Sequence, residues 1–179
     1  RGVAGRSAMS ALAAIAHRST VPLFEEQTAS KNAAHRQAAY EGLARSGVGA
    51  NAATRIEAAM ASEKDAGVRL AMAFALASAG RGSINHLLDA LSDRDKSDDA
   101  LEYLVELGQP HVDAVAARIS EPTPLVRGQI ATALGFIGGP KALEALKRAS
   151  GEPDPDVRQR ISVAQFRLER ARTAAAEAP

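Results

Sequence analysis

Three stretches of this chain repeat one another at a fixed length. Arg36 to Gly47, Arg69 to Gly80 and Arg127 to Gly138 each run eleven positions from Arg to Gly, and two of them open on Val-Arg (VRLAMAFALASAG and VRGQIATALGFIG). Weaker copies fill the gaps: Arg6 to His17, Ser97 to Gly108, and a last one opening at Val157-Arg158. The anchors at 6, 36, 69, 97, 127 and 158 define a period of about 30 residues. That is the size of a helical hairpin, a unit too small to bury its own apolar face, so a chain built this way must stack its copies.

Inside each copy the apolar residues recur at helical spacing, as in Ile130, Ala133, Leu134 and Ile137, or Leu101, Leu104, Val105 and Leu107. Gly108 and Gly138 stand where a helix C-terminus wants a left-handed residue, and Pro110 and Pro140 follow, placed to open the next helix. The second helices read SINHLLDALS, HVDAVAARIS and KALEALKRAS. Their buried stripes are Ile84, Leu87, Leu88 and Leu91, then Val112, Val115 and Ile119, then Leu143 and Leu146. Polar turns at 62–65, 92–95, 120–124 and 151–156 separate the copies.

The expectation is a single all-α domain, 1–179, of about six two-helix repeats: 1–30, 31–62, 63–92, 93–120, 121–150 and 151–179. The second copy carries a slightly longer connection, VGANAAT, and the fourth replaces Val-Arg with an acidic opening, Asp93 to Asp99. The last copy is a half repeat with one helix from about Asp156 to Ala171, made polar by Arg160, Arg167, Arg170 and Arg172 as suits a capping end. The tail TAAAEAP is expected to be a frayed helix end. Because the chain opens at Arg1 inside a helical pattern, upstream sequence is expected to have been removed.

Ala dominates the apolar content, aromatics are 3% and Trp is absent, which favours close helix-on-helix packing over a core of large rings. The 22 basic and 21 acidic residues leave a net charge of +1, so there is no general electrostatic footprint for nucleic acid. With no Cys there is no disulfide framework and no thiolate metal site. No apolar run approaches the roughly 20 residues that span a bilayer, so a soluble segment is expected, with its compartment open between cytoplasm and periplasm. The excess of Arg over Lys and the Ala content suggest a high-GC bacterium.

The segments PTPLVRGQIATALGFIGGPKALEALKRAS and PDPDVRQRISVAQFRL resemble the HEAT-like repeat first named for phycobilisome lyases, with its D-P-x-V-R, A-x-x-A-L-G, I-G and A-L-x-x-L pattern. The resemblance is strong from 63 to 170 and weak before 31. It implies an armadillo-like, right-handed α-α superhelix whose second helices line a concave face. It does not imply one activity, since such proteins include protein-binding scaffolds, bilin lyase subunits, di-iron hydroxylases and DNA glycosylases.

Each enzymatic branch makes a demand on residues. The di-iron branch needs repeated His-Glu pairs, and none of His17, His35, His86 and His111 is followed by Glu. The glycosylase branch needs a basic, aromatic-bearing groove, yet the second helices mix Arg55, Arg118, Lys141, Lys147 and Arg148 with Glu25, Glu26, Glu57, Asp89, Asp113 and Glu144. The six aromatics, Phe24, Tyr40, Phe74, Tyr103, Phe136 and Phe166, read mostly as core. A bilin lyase-type subunit or chaperone stays as the alternative function, and a DNA-binding protein as a more distant one.

The recurring Arg36, Arg69, Arg127 and Arg158 read as structural ties to the acids or carbonyls of the preceding turn, such as Asp154 or Asp156 for Arg158. The expected function is a non-enzymatic scaffold or adaptor that binds a polypeptide through its second helices, with no cofactor, metal or nucleic acid. The residues assigned to that surface are His86, Asp89, His111, Asp113, Arg118, Glu144, Lys147 and Arg148.

Overall fold

The computed structural model describes the backbone of residues 2–177 and the side chains of residues 8–176, so the Arg6 side chain of the first anchor and the end of the TAAAEAP tail lie outside the described residues. Among the described residues the regular structure is all helical. The chain forms two compact units, Arg1–His86 and Leu87–Pro179.

The first unit holds α1 (Gly2–Ile15), α2 (Val21–Gln27), α3 (Ala33–Ser46), α4 (Ala50–Met60) and α5 (Ala66–Ser78). The first helices of the repeats pack on one another, α3 against both α1 and α5, while α2 lies on α3 and α4 on α5. Helix α5 begins at Asp65, whose side chain accepts from the Val68 N–H at 3.0 Å. Ten of its thirteen residues are buried, which is why it reads as apolar all round rather than amphipathic. The short α6 (Asn85–Ala90) spans the division between the units.

The second unit holds α7 (Ser97–Leu107), α8 (Val112–Ala117), α9 (Pro124–Ile137), α10 (Gly139–Arg148) and α11 (Pro155–Glu177). Here α9 packs between α7 and α11, and the second helices form their own row, α10 touching α8 and α11. Helix α9 starts with Pro124, buries Val126, Ile130, Ala131, Ala133 and Leu134, and stops at Gly138, whose N–H donates to the Leu134 carbonyl at 3.0 Å. Gly47, Gly80, Gly108 and Gly138 all have positive φ, at 95°, 68°, 64° and 78°, so in these four copies the recurring glycine ends the helix in a conformation other residues rarely adopt. In the first copy, where no glycine recurs, Ala16 takes φ 47° after α1.

The structure differs from the sequence reading in several places. The VGANAAT segment is not a long connection: Ala50 to Thr54 already belong to α4, leaving Gly47–Gly49 as the link. Helices α6 and α8 are only six residues each, and Ile119 lies past the end of α8, half-buried. Helix α11 runs on through Glu177 as one helix of 23 residues, well beyond Ala171. Phe24, Tyr40, Phe74 and Tyr103 are core residues, but Phe136 and Phe166 are exposed. Helical geometry explains both exceptions: the buried stripe of α11 is Val157, Ile161, Ala164 and Leu168, and Phe166 falls two residues off it, as Phe136 falls two past Leu134.

Candidate functional site

The recurring arginines are the most regular polar feature of the fold. In every case Nη1 donates to the carbonyl six residues upstream: Arg36 to Ser30 at 2.9 Å, Arg69 to Glu63 at 3.0 Å, Arg127 to Glu121 at 2.8 Å and Arg158 to Glu152 at 2.7 Å. These carbonyls belong to the turn before the helix, whose backbone has no helical partner of its own. Two of the guanidinium groups also reach forward one repeat. Arg36 grips both carboxylate oxygens of Glu63 at 2.8 and 2.9 Å, and Arg127 grips those of Glu152 at 2.9 and 2.7 Å. Each is a planar fork matched to a carboxylate, the geometry that distinguishes Arg from Lys.

Glu63 and Glu152 therefore work twice, holding one arginine by the side chain and the next by the carbonyl. The hydrogen bond from Arg36 holds the Glu63 carboxyl below its ordinary value, and that from Arg127 does the same for Glu152, while both arginines are raised in return. The expected ties to Asp154 or Asp156 are replaced: Arg158 bonds to the Glu152 and Pro153 carbonyls, and the Asp154 side chain instead caps α11, accepting from the Asp156 and Val157 N–H groups. A signal for this was present, because Glu63, Glu121 and Glu152 all stand six residues before their arginines, two before the helix cap.

The second helices carry a different set of charges. Of the eight residues assigned to a partner, His86 closes the first unit and is exposed, and the other seven lie in the second unit. Those seven are brought together mainly as ion pairs linking one second helix to the next. Asp89 takes Arg118 at 3.0 Å, Asp113 takes Lys141 at 2.6 Å and Lys147 takes Glu169 of α11 at 3.0 Å. Glu144 pairs with Arg148 along α10 at 2.9 Å, and Arg118 also bonds Glu121. His111 is half-buried in the turn before α8. The first unit repeats the theme, with Glu25–Arg55 and Glu57–Arg81.

Asp113 and Lys141 stay 73% and 61% exposed, Glu144 and Arg148 69% and 68%. Pairs so exposed contribute about 0–1 kcal/mol each, so a partner's charges displace them at little cost. Sequence reasoning missed Gln109, whose amide donates to the Ile137 and Gly138 carbonyls at 2.8 and 2.6 Å and so closes the end of α9 from the neighbouring repeat. Nothing in the spacing marks it. Among the described residues, no three or more of His, Cys, Asp and Glu are grouped closely enough to hold a metal ion, and no helix is long and apolar enough to cross a membrane.

Stacked helix pairs joined by glycine-terminated turns, with arginine forks between successive turns, define a HEAT-like fold of the α-solenoid class. Residues 84–165 match the family described as HEAT repeats. Among solved structures the chain is similar to human deoxyhypusine hydroxylase in complex with glycerol, with 22% identity and a TM-score of 0.50 over 92% of this chain and 67% of that one. At that identity the likeness is one of fold. Among curated proteins none matches the sequence significantly.

Proposed function

We propose that this chain is a non-enzymatic interaction module that binds a polypeptide through the second-helix surface of its C-terminal unit. The observation that carries the reading is the row of mixed charges on α8 and α10, with Asp89 at the end of α6, held on packed helices, where Asp113–Lys141 and Glu144–Arg148 are weak, exposed ion pairs and Asp89 stays exposed beside a half-buried Arg118. Rigid helices add little ordering cost on binding, and an alternating row of both signs selects a partner of matching pattern. HEAT repeats are commonly used this way.

The test is affinity purification of the native partner, repeated with Asp89→Lys, Glu144→Lys and Arg148→Glu combined. Loss of the partner by a variant that keeps its helical circular dichroism supports the assignment. Unchanged recovery removes it.

A further inference from the structure

The first helices of the second unit expose what they are expected to bury. On α9 and α11, Phe136 is 56%, Val163 57% and Phe166 63% exposed. Between the two helices runs an open groove of about 400 Å³, lined among others by Gly135, Phe136, Asp156, Arg160, Val163 and Arg167. A second groove of about 490 Å³ adjoins it, sharing Gly135, Phe136 and Arg167 and reaching Leu143 and Arg172. Gly135 keeps the floor open and the helices close, since a Cβ there would stand 2.7 Å from that of Ala164.

The charge around this groove is mostly positive, with Glu169 of α11 taken by Lys147. Arg160, Arg167, Arg170 and Arg172 are exposed along α11 with no carboxylate partner among the described residues, while Arg36, Arg55, Arg81, Arg118, Arg127 and Arg148 each hold one. Asp156 at one end is the acid of the lining. The Arg167 guanidinium stacks over the Phe136 ring at 4.0 Å, and Arg170 lies 5.8 Å from the Phe166 ring. Stacking of this kind leaves the guanidinium edge N–H groups directed outward, ready for a planar acceptor.

We propose that the α9–α11 groove is a second peptide-binding site. It takes an acidic segment that inserts one aromatic or branched aliphatic side chain against Phe136 and Val163 and lays carboxylates on Arg160 and Arg167. A cavity of this size takes one such anchor, and the anchor supplies apolar burial while the arginines, Arg160 held by Thr132 at 3.4 Å rather than by a carboxylate, supply selectivity for acid.

The test is a selection of random short peptides displayed on phage against the full chain. The expected consensus places Asp or Glu around a single Phe, Leu or Ile. A fluorescein-labelled peptide of that consensus, followed by anisotropy, should weaken about tenfold or more with Arg160→Glu and Arg167→Glu combined, and also with Val163→Asp. The variant with Arg160→Lys and Arg167→Lys keeps the charge but not the stacked fork and falls between the parent and the charge-reversed variant, which separates charge from folding. The Asp89, Glu144 and Arg148 reversal leaves it unchanged, which separates this site from the second-helix surface. The proposal is overturned by a consensus without acid, by equal binding to the charge-reversed variant, by a concentration-dependent dimer that Val163→Asp abolishes, or by binding to phosphatidylserine vesicles in place of peptide.

Discussion

Replacing Gly42 with alanine forces one more carbon against the buried ring of Phe24. A Cβ at this position of α3 would stand 2.4, 2.5 and 2.6 Å from Cζ, Cε2 and Cε1 of Phe24, a ring with no exposed surface. Carbon atoms settle at about 3.5–4.0 Å, so the ring must withdraw by roughly 1 Å and carry α2 with it. Overpacking costs about 1–3 kcal/mol, toward the upper end here because three carbons of a fully buried ring are crowded at once, and the better helix propensity of alanine returns up to about 1 kcal/mol. The expected net loss is about 1–2 kcal/mol, read as a lower urea midpoint with unchanged slope in far-ultraviolet circular dichroism. Phe24→Leu shortens the offending group, so the double variant should lose less than the sum of the two singles by about 1 kcal/mol. Strict additivity, or a Gly42→Ala protein as stable as the parent, would refute the close-contact reasoning.

Three further outcomes follow from the same geometry. Because the folded carboxyls of Glu63 and Glu152 are held below their ordinary value of 4.5, the stability they contribute is present above that pH and is lost as the pH falls through the folded values. Urea midpoints of the parent and of Glu63→Gln with Glu152→Gln should therefore converge on acidification, and a constant gap between neutral and strongly acid pH would contradict the fork. Gly138→Ala must place a Cβ at φ 78° and ψ −167°, a region left almost wholly to glycine, and should lose about 1–3 kcal/mol in the same assay; no loss would show that the turn relaxes. Ala16→Gly is the mirror case, since φ 47° suits glycine, and it should raise the melting temperature if the left-handed turn after α1 is kept.

Sequence alone determined the local rules of this protein. Helical periodicity, the Arg-to-Gly interval and the Pro and Gly punctuation specified an all-helical repeat, because each depends on backbone geometry within a dozen residues. Even the arginine tie to the preceding carbonyls is local, a reach of six residues that the Glu-x-Asp-x-x-Val-Arg pattern at 63–69 and 152–158 writes out. What stood about 28 residues away had no such signature. The forks from Arg36 to Glu63 and from Arg127 to Glu152, the Gln109 closure of α9 and the pairing of Asp113 with Lys141 join residues one repeat apart. Their distances are set by how helices stack. Tertiary packing also decided which face of a helix is buried: Phe136 and Phe166 are apolar in composition yet exposed, because α9 and α11 meet through Gly135 and Ala164, and that contact turns the two rings outward beside Arg167 and Arg170. The repeat is legible from spacing, whereas the surfaces it offers to partners arise only when copies are stacked and their charges and rings come to stand side by side.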